Sequence, residues 1–534
     1  MIIDSFYKEI DKNNFYLGMI SQVNRGSSVI QVENLSLFNH RKIKEEILIP
    51  STINYLVLID SVQGLFLGEI FQSKVSNSAG VHNSLNYADS ESVYPEVSVN
   101  VVGLIRSGDY NFKLPGFLTV GITDKVYIAN NNVIQKYLDS IEIKKNSETV
   151  LSSFATFSNL NNQKISLKPS TLFDRHLMAV GTTNSGKSTS ALSILDKLIQ
   201  DKKKVLIIDP TGEYNESFTN DEINKLHLGI DTVLSVGTLS IQQWAMLFET
   251  NDATQPAFLA DAIKSLRFQK RNQKLGVYKK DKMNVSTVDS DMASVTFNDT
   301  DFDLHDLAAQ ISEETNQIDK NNNYISNTFQ FNQKQWLTQK VQYKLDNTSL
   351  STFFSADNDK WNLLNQIDNF LLEGEKSLYI DASNIATGDG VGGMIVDLIS
   401  NYIINKKGIL PFVLFIDEVH RYTKASSHEI DYYTGLTTIA REGRKKGVFL
   451  FLTTQNPQDV SQILFGQIGT LIIHRLTQID ELRLIQNHLG KNSIKQVSKL
   501  NQGEAILTSI NLLQDIHVRV IKCSRIHNNE TPKL

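Results

Sequence analysis

The sequence predicts an α/β protein: a core of buried strands and helices with a helical insertion, preceded by a small β-barrel. Three observations predict it. A glycine-rich loop, Gly181 to Ser188, sits between a short apolar run and a helical repeat. Apolar runs ending in carboxylates then alternate with helices toward the C-terminus. Ahead of them, residues 15 to 145 read as short strands spaced about 8–12 residues apart, the rhythm of a barrel or sandwich.

The barrel strands are expected at Phe15 to Ile20, Ser28 to Val32, Glu46 to Ile49, Tyr55 to Asp60 and Leu65 to Ile70, with Val97 to Ile105 and Val126 to Ile128 closing the sheet. Leu114-Pro115-Gly116-Phe117 is a turn signal, and the polar stretch Ser73 to Ser92 reads as a long loop. The region has no acid/base pair and no metal-ligand spacing. Residues 1–150 are therefore expected to serve assembly or partner docking rather than chemistry.

The loop Gly181-Thr182-Thr183-Asn184-Ser185-Gly186-Lys187-Ser188 fits G-x-x-x-x-G-K-[ST], with Thr189 following. That pattern lets backbone N–H groups wrap phosphates, the Lys reach the terminal ones and the Ser hold Mg²⁺. His176 to Val180 can enter it as a buried strand. Ala191, Leu192, Leu195, Leu198 and Ile199 share one face of the helix that leaves it. Strand, glycine loop and helix are the context the motif requires, because the phosphates sit on the helix N-terminus.

Lys204 to Asp209 is a second buried strand, followed by Pro210-Thr211-Gly212-Glu213-Tyr214. Asp209 and Glu213 fall at the carboxyl end of the sheet, where open α/β folds place ligands. Two readings stand for Asp209: a role near the nucleotide, or capping of the turn. The rhythm then breaks, and a mostly helical insertion is expected over about 270–370. Just before and within it, Lys264, Arg267, Lys270, Arg271, Lys274, Lys279, Lys280 and Lys282 face only Asp281. This run is either a solvated face or a phosphate-tracking surface.

The αβ pattern resumes at Lys376 to Ser383, with a helix at Gly393 to Ile404 and the run Pro411 to His420. An apolar strand ending in Asp417-Glu418 is a Walker B pattern: Asp417 for the metal, Glu418 to orient or deprotonate water. Gln455, after the strand Val448 to Leu452, is placed to sense the γ-phosphate or the attacking water. Arg441 and Arg444 are either ordinary surface charges or, in a ring ATPase, candidates to stabilise charge in a neighbouring subunit's site, and Arg475 ends a last strand in the same layer. Gln514 to Ile526 alternates as an edge strand.

The composition narrows the class. At 534 residues, 41% hydrophobic and 21% charged, the chain has the makeup of an ordinary soluble protein. A net charge of −5 gives no global sign of nucleic-acid binding, so any basic surface must be local. The single cysteine, Cys523, excludes an intrachain disulfide and points to a reducing compartment. With neither a secretory signal nor an apolar run of about 18 residues, a cytoplasmic protein without membrane association is expected.

Together, Arg175-His176, the Gly181–Ser188 loop, Asp209-Pro-x-Gly-Glu-Tyr214, Asp417-Glu-x-His420, Arg441-Glu-Gly-Arg-Lys445 and Thr454-Gln-x-Pro457 resemble the HerA family of hexameric DNA-translocating ATPases. The likeness runs from about residue 170 to the C-terminus, outside the insertion, and Val62 to Glu69 is similar to that family's β-barrel. It implies a RecA/FtsK-like P-loop ATPase core over 165–534, in the additional-strand branch, behind a barrel over 1–150. It also implies ATP and Mg²⁺ as cofactors, a homohexamer, and double-stranded DNA in the central pore. An effector nuclease or sirtuin-type NADase would dock through the N-terminal barrel, in DNA-end processing or antiphage defence. Lys187 and Ser188 carry over as phosphate and Mg²⁺ ligands, Asp417 as metal ligand, Glu418 as base, and Arg441 or Arg444 as the arginine acting in trans. A ring that mainly scaffolds and regulates its partner, with DNA secondary, is the alternative. Asn184 replaces the commoner glycine at a position that often needs positive φ, which Asn tolerates.

Overall fold

A computed structural model of the chain describes residues 2–7, 12–43, 46–48, 53–75, 93–143, 147–158, 163–251, 254–326, 328–355, 359–385, 389–422 and 434–527. Most of the loop expected over Ser73 to Ser92 lies outside the described residues. The chain packs as two compact units. One comprises residues 1–172 and 470–521; the other comprises 173–469 and 522–534. Residues 470–521 thus pack with the N-terminal region, whereas the sequence reading has all of 165–534 as one core.

In the first unit, β1 (Tyr16–Val23) and β2 (Ser28–Val32) are followed by a two-stranded pair, β3 (Arg41–Ile43) and β4 (Glu46–Leu48). Then come β5 (Leu56–Ser61), β6 (Gly64–Lys74), β7 (Glu96–Ile105) and β8 (Lys125–Ile128). Six of these close an antiparallel barrel in the order β1-β2-β7-β6-β5-β8, with β8 returning to β1. The strand at Glu46 stays outside it. Within the barrel only β2 alternates buried and less buried positions along its whole length, whereas Ile59, Phe66 and Val126 lie in contiguous buried runs of β5, β6 and β8. A helix at Asn131–Ser140, which strand spacing did not signal, is capped by Asn130, whose Oδ1 accepts the Val133 N–H at 3.0 Å.

β9 (Ala155–Phe157) and β10 (Lys164–Ile165) also belong to the first unit, as an antiparallel pair. The second unit opens with β11 (Leu177–Val180), β12 (Val205–Asp209) and β13 (Ile223–His227). A short parallel pair, β14 (Thr232–Val233) and β15 (Trp361–Asn362), brackets the insertion. β16 (Ser377–Asp381), β17 (Phe412–Ile416) and β18 (Val448–Thr454) complete a six-stranded parallel sheet in the order β11-β18-β17-β12-β16-β13. Every residue of β11, β12, β16 and β17 is buried. That is why these strands read as continuous apolar runs rather than alternating ones.

The insertion is helical as expected, with helices at Gln255–Arg271, Val285–Ser294, Leu307–Glu313, Thr328–Leu345, Thr348–Phe353 and Leu363–Leu372. Its basic run is largely absorbed by structure. Lys280 is buried in an ion pair with Glu314, which also accepts the Ser265 hydroxyl at 2.6 Å and the Gln310 amide at 2.9 Å. Arg271 pairs with Asp299 at 3.1 Å, Lys270 lies 3.6 Å from Asp301, and Arg267 donates to the Thr300 carbonyl. These pairings favour a solvated face for this part of the run.

β19 (Thr470–Ile473), β20 (Glu504–Ser509) and β21 (Ile516–Val520) return to the first unit, where the antiparallel order is β19-β20-β21-β9-β10. The tail strand β21 therefore lies between two neighbours and is not an edge strand.

Candidate active site

The parallel register brings three strand ends together. Val180 lies beside Thr454 and Ile416 beside Leu452, so the residues that follow β11, β17 and β18 emerge on one carboxyl edge. Gly181 to Gly186 leaves β11, closes a turn in which the Ser185 N–H donates to the Thr182 carbonyl at 3.2 Å, and enters the helix Lys187–Gln200. Asn184 takes φ 61° and Gly186 φ 105°, so the residue that departs from the usual glycine adopts the left-handed conformation expected of it. The helix starts at Lys187 with Ser188 in its first turn, and its unpaired N-terminal amides open onto the loop.

Lys187 is buried and ion-paired with Glu418 Oε1. Gln455 completes the bridge. Its side-chain amide donates to Glu418 Oε1 at 2.7 Å, its backbone N–H to Oε2 at 3.1 Å, and its own Oε1 accepts the Thr183 hydroxyl at 2.9 Å. Burial works against the Glu418 charge, but His420, Lys187 and Gln455 outweigh it and hold the carboxylate down at about 2. Glu418 has φ 48° and ψ 50°, a strained backbone for a non-glycine residue. The Thr453 hydroxyl accepts the Glu418 N–H at 2.9 Å and so fixes that conformation.

Asp417 is buried and carries three donors: the Thr453 hydroxyl and the Glu418 N–H (3.1 Å) on Oδ1, and the Tyr214 hydroxyl (3.1 Å) on Oδ2. Burial raises its pKa, partly offset by the Lys187 charge. Among the described residues no group of three or more His, Cys, Asp or Glu is placed to hold a metal ion. A single carboxylate with a nearby hydroxyl suits a hard cation that keeps waters and takes its other ligands from phosphate, as Mg²⁺ does.

Asp209 caps its turn. Its oxygens accept the N–H groups of Thr211, Gly212 and Tyr214 and the hydroxyls of Thr211 and Tyr379, all at 2.9–3.0 Å, which leaves it fully engaged. Glu213 is half-buried, and burial followed by Asp417 raises its pKa, while His527 Nε2 lies 3.5 Å from its Oε2. Tyr214, Thr453 and His420 received no role from the sequence. Tyr214 and His420 lie inside motifs quoted above and Thr453 immediately before one, but nothing in a single sequence says that their side chains turn toward Asp417 and Glu418.

Arg441 closes the helix Gly435–Glu442, and Arg444 lies in the turn Gly443–Lys446 that precedes β18. Both stand at the amino end of a strand whose carboxyl end carries Gln455, about 20 Å away at roughly 3.3 Å per residue. They are outside the site of their own subunit. Arg444 instead lies near His176, which burial drives down to about 4 and which is neutral, with Nε2 3.0 Å from the Ala440 carbonyl and Nδ1 accepting the Leu450 N–H at 2.9 Å.

A buried lysine at a helix N-terminus, an aspartate–glutamate pair on the second strand away and a strand-end glutamine define a P-loop ATPase. Residues 155–403 match the family model described as Helicase HerA, central domain. The chain is 22% identical over 478 residues to a probable helicase of Methanocaldococcus jannaschii, covering 84% of this chain and 81% of that protein. It is 25% identical over 345 residues to the DNA double-strand break repair helicase HerA of Sulfurisphaera tokodaii, covering 62% of each. A solved structure of the plasmid coupling protein TrwB with an ATP analogue aligns with a TM-score of 0.48 at 13% identity, over 76% of this chain and 95% of that one. The chain therefore carries a P-loop ATPase core similar to that of the HerA helicases. No described helix is long and apolar enough to cross a membrane.

Proposed function

We propose that this chain is an ATP-driven motor that assembles as a homohexameric ring and translocates on double-stranded DNA in its central pore. The observation that carries the reading is the bridge Thr183–Gln455–Glu418–Lys187, which links the phosphate loop to the carboxylate of Walker B. The amides of residues 181–186 and the following helix start bind the phosphates, with Thr189 in the first turn. Lys187 contacts the terminal phosphates, Ser188 and Asp417 hold Mg²⁺, and Gln455 orients water at Glu418. Bound Mg²⁺ would neutralise charge on the phosphate oxygens. A phosphate that draws Lys187 away removes the ammonium holding Glu418 down, so substrate arrival makes Glu418 a stronger base. Arg441 or Arg444 serves the neighbouring subunit's site.

The name of the Sulfurisphaera tokodaii relative, a DNA double-strand break repair helicase, supports DNA as the track. An effector nuclease or NADase docked through the barrel, in DNA-end processing or antiphage defence, is the finer part of the proposal. The exposed Val62, Tyr110 and Phe117 of the first unit support a docking role. The test is ATP hydrolysis with and without duplex DNA, paired with a mass measurement in ATP. A hexamer whose turnover rises with duplex DNA is expected. A hexamer indifferent to DNA would reduce the reading to a scaffolding ATPase.

A further inference from the structure

Residues 522–527 belong to the second unit, although β21 just before them belongs to the first. This short segment is fastened at three points. The Arg525 side chain is 11% exposed. Its Nε donates to Asp196 Oδ1 at 2.6 Å, and its Nη1 and Nη2 grip Glu222 at 2.9 and 2.7 Å. Nη1 also reaches the Ser217 carbonyl at 3.1 Å, and the guanidinium stacks 4.7 Å from the Phe218 ring. Asp196 lies on the helix that starts at Lys187, so Arg525 ties that helix to the 217–222 loop. Next, the Ile526 carbonyl accepts the Ser217 hydroxyl at 2.5 Å. Finally, the His527 ring packs against Tyr214, with centroids 4.7 Å apart at 61°, and its Nε2 lies 3.5 Å from Glu213.

Tyr214 is the link to the chemistry. It is fully buried, and its ring makes edge contacts with both His527 and Phe415, the latter 5.4 Å away at 78°. Its hydroxyl donates to Asp417 Oδ2. A buried aromatic ring holds its direction only while its neighbours fill the space around it. Without the His527 ring, the hydroxyl that fixes the Asp417 carboxylate loses one wall of its socket.

We propose that residues 522–527 form a clasp that positions Asp417 for Mg²⁺ through Tyr214, with Arg525 and His527 as its positioning residues. This rests on the reading of Asp417 as the metal carboxylate. Neither residue touches substrate; each acts on the metal site through the 213–222 loop. A clasp of this kind affects metal use more than nucleotide affinity, because the phosphate loop itself keeps its contacts.

The test is direct metal binding by the full chain in the presence of a non-hydrolysable ATP analogue, followed with Mn²⁺ by electron paramagnetic resonance, alongside steady-state ATP hydrolysis titrated with Mg²⁺, for the wild type and for Arg525→Ala, His527→Ala, His527→Phe and Tyr214→Phe. His527→Ala, Arg525→Ala and Tyr214→Phe are expected to weaken Mn²⁺ binding and raise the Mg²⁺ half-saturation about tenfold, the scale of one charge-assisted hydrogen bond. The KM for ATP should stay within about twofold, since ground-state binding is untouched. His527→Phe keeps the ring and is expected to stay near the wild type. Tyr214→Phe removes one hydroxyl without emptying the socket, so it carries the test even where Arg525→Ala fails to fold. Wild-type Mn²⁺ binding and Mg²⁺ dependence in the folded His527→Ala and Tyr214→Phe variants would overturn the clasp alone. A wild type that does not hydrolyse ATP would overturn the site reading and the clasp with it.

Discussion

Gln455 donates its side-chain amide to Glu418 Oε1 at 2.7 Å while its own oxygen accepts the Thr183 hydroxyl at 2.9 Å. One side chain thus spans the phosphate loop and the Glu418 carboxylate. Gln455→Ala is expected to lower kcat about tenfold to a hundredfold while the KM for ATP changes little, the pattern of an interaction made chiefly in the transition state. Parallel changes in kcat and KM would assign Gln455 to nucleotide binding instead.

Asn184 sits at φ 61°, where Cβ-bearing residues are strained. Asn184→Gly is expected to bind ATP as the wild type does. Asn184→Val should weaken binding by about 1–2 kcal/mol, since a β-branched residue pays the full left-handed cost. Equilibrium titration with a fluorescent ATP analogue checks the pair.

His176 gives the core a pH dependence. Burial holds its folded-state pKa at about 4, below the ordinary imidazole value of 6.5, so between those values the unfolded chain binds more protons than the folded one. Stability is therefore complete above pH 6.5 and is lost as pH falls toward 4. The loss attributable to this residue is about 3 kcal/mol, taken as an upper figure. Because His176 itself has φ 58°, His176→Asn is the suitable control. Thermal unfolding from pH 7 to pH 4.5 should show a flatter profile in the variant.

Lys280→Met leaves Glu314 buried without its partner cation. The expected cost is about 3–5 kcal/mol, read as an earlier unfolding transition. If the basic run tracked phosphates, the same substitution would instead weaken duplex DNA binding at unchanged stability.

The catalytic core was legible because parallel strands covered on both faces must be apolar throughout, and each ends where a carboxylate or amide can meet a ligand. Barrel strands showed themselves by short apolar runs at regular spacing and by turns. The pairing of β21 between β20 and β9 did not, because β9 lies more than 300 residues away and local patterning carries no register. Tyr214, Thr453 and His420 were hidden for a related reason: one polar residue has no period, and its direction is set by packing. The basic run left two readings open because Lys280, Arg271 and Lys270 find their acids at residues 299–314, beyond the stretch in which they cluster.

Glu418 tests the account most directly. In a single-turnover assay with trace ATP and excess protein, Glu418→Gln is expected to bind ATP as tightly as the wild type and cleave it at least about a hundredfold more slowly, the loss of a general base. Lys187→Ala should lose the binding itself. Wild-type cleavage by Glu418→Gln would contradict the assignment of Glu418 as the catalytic carboxylate and, with it, the reading of the whole site.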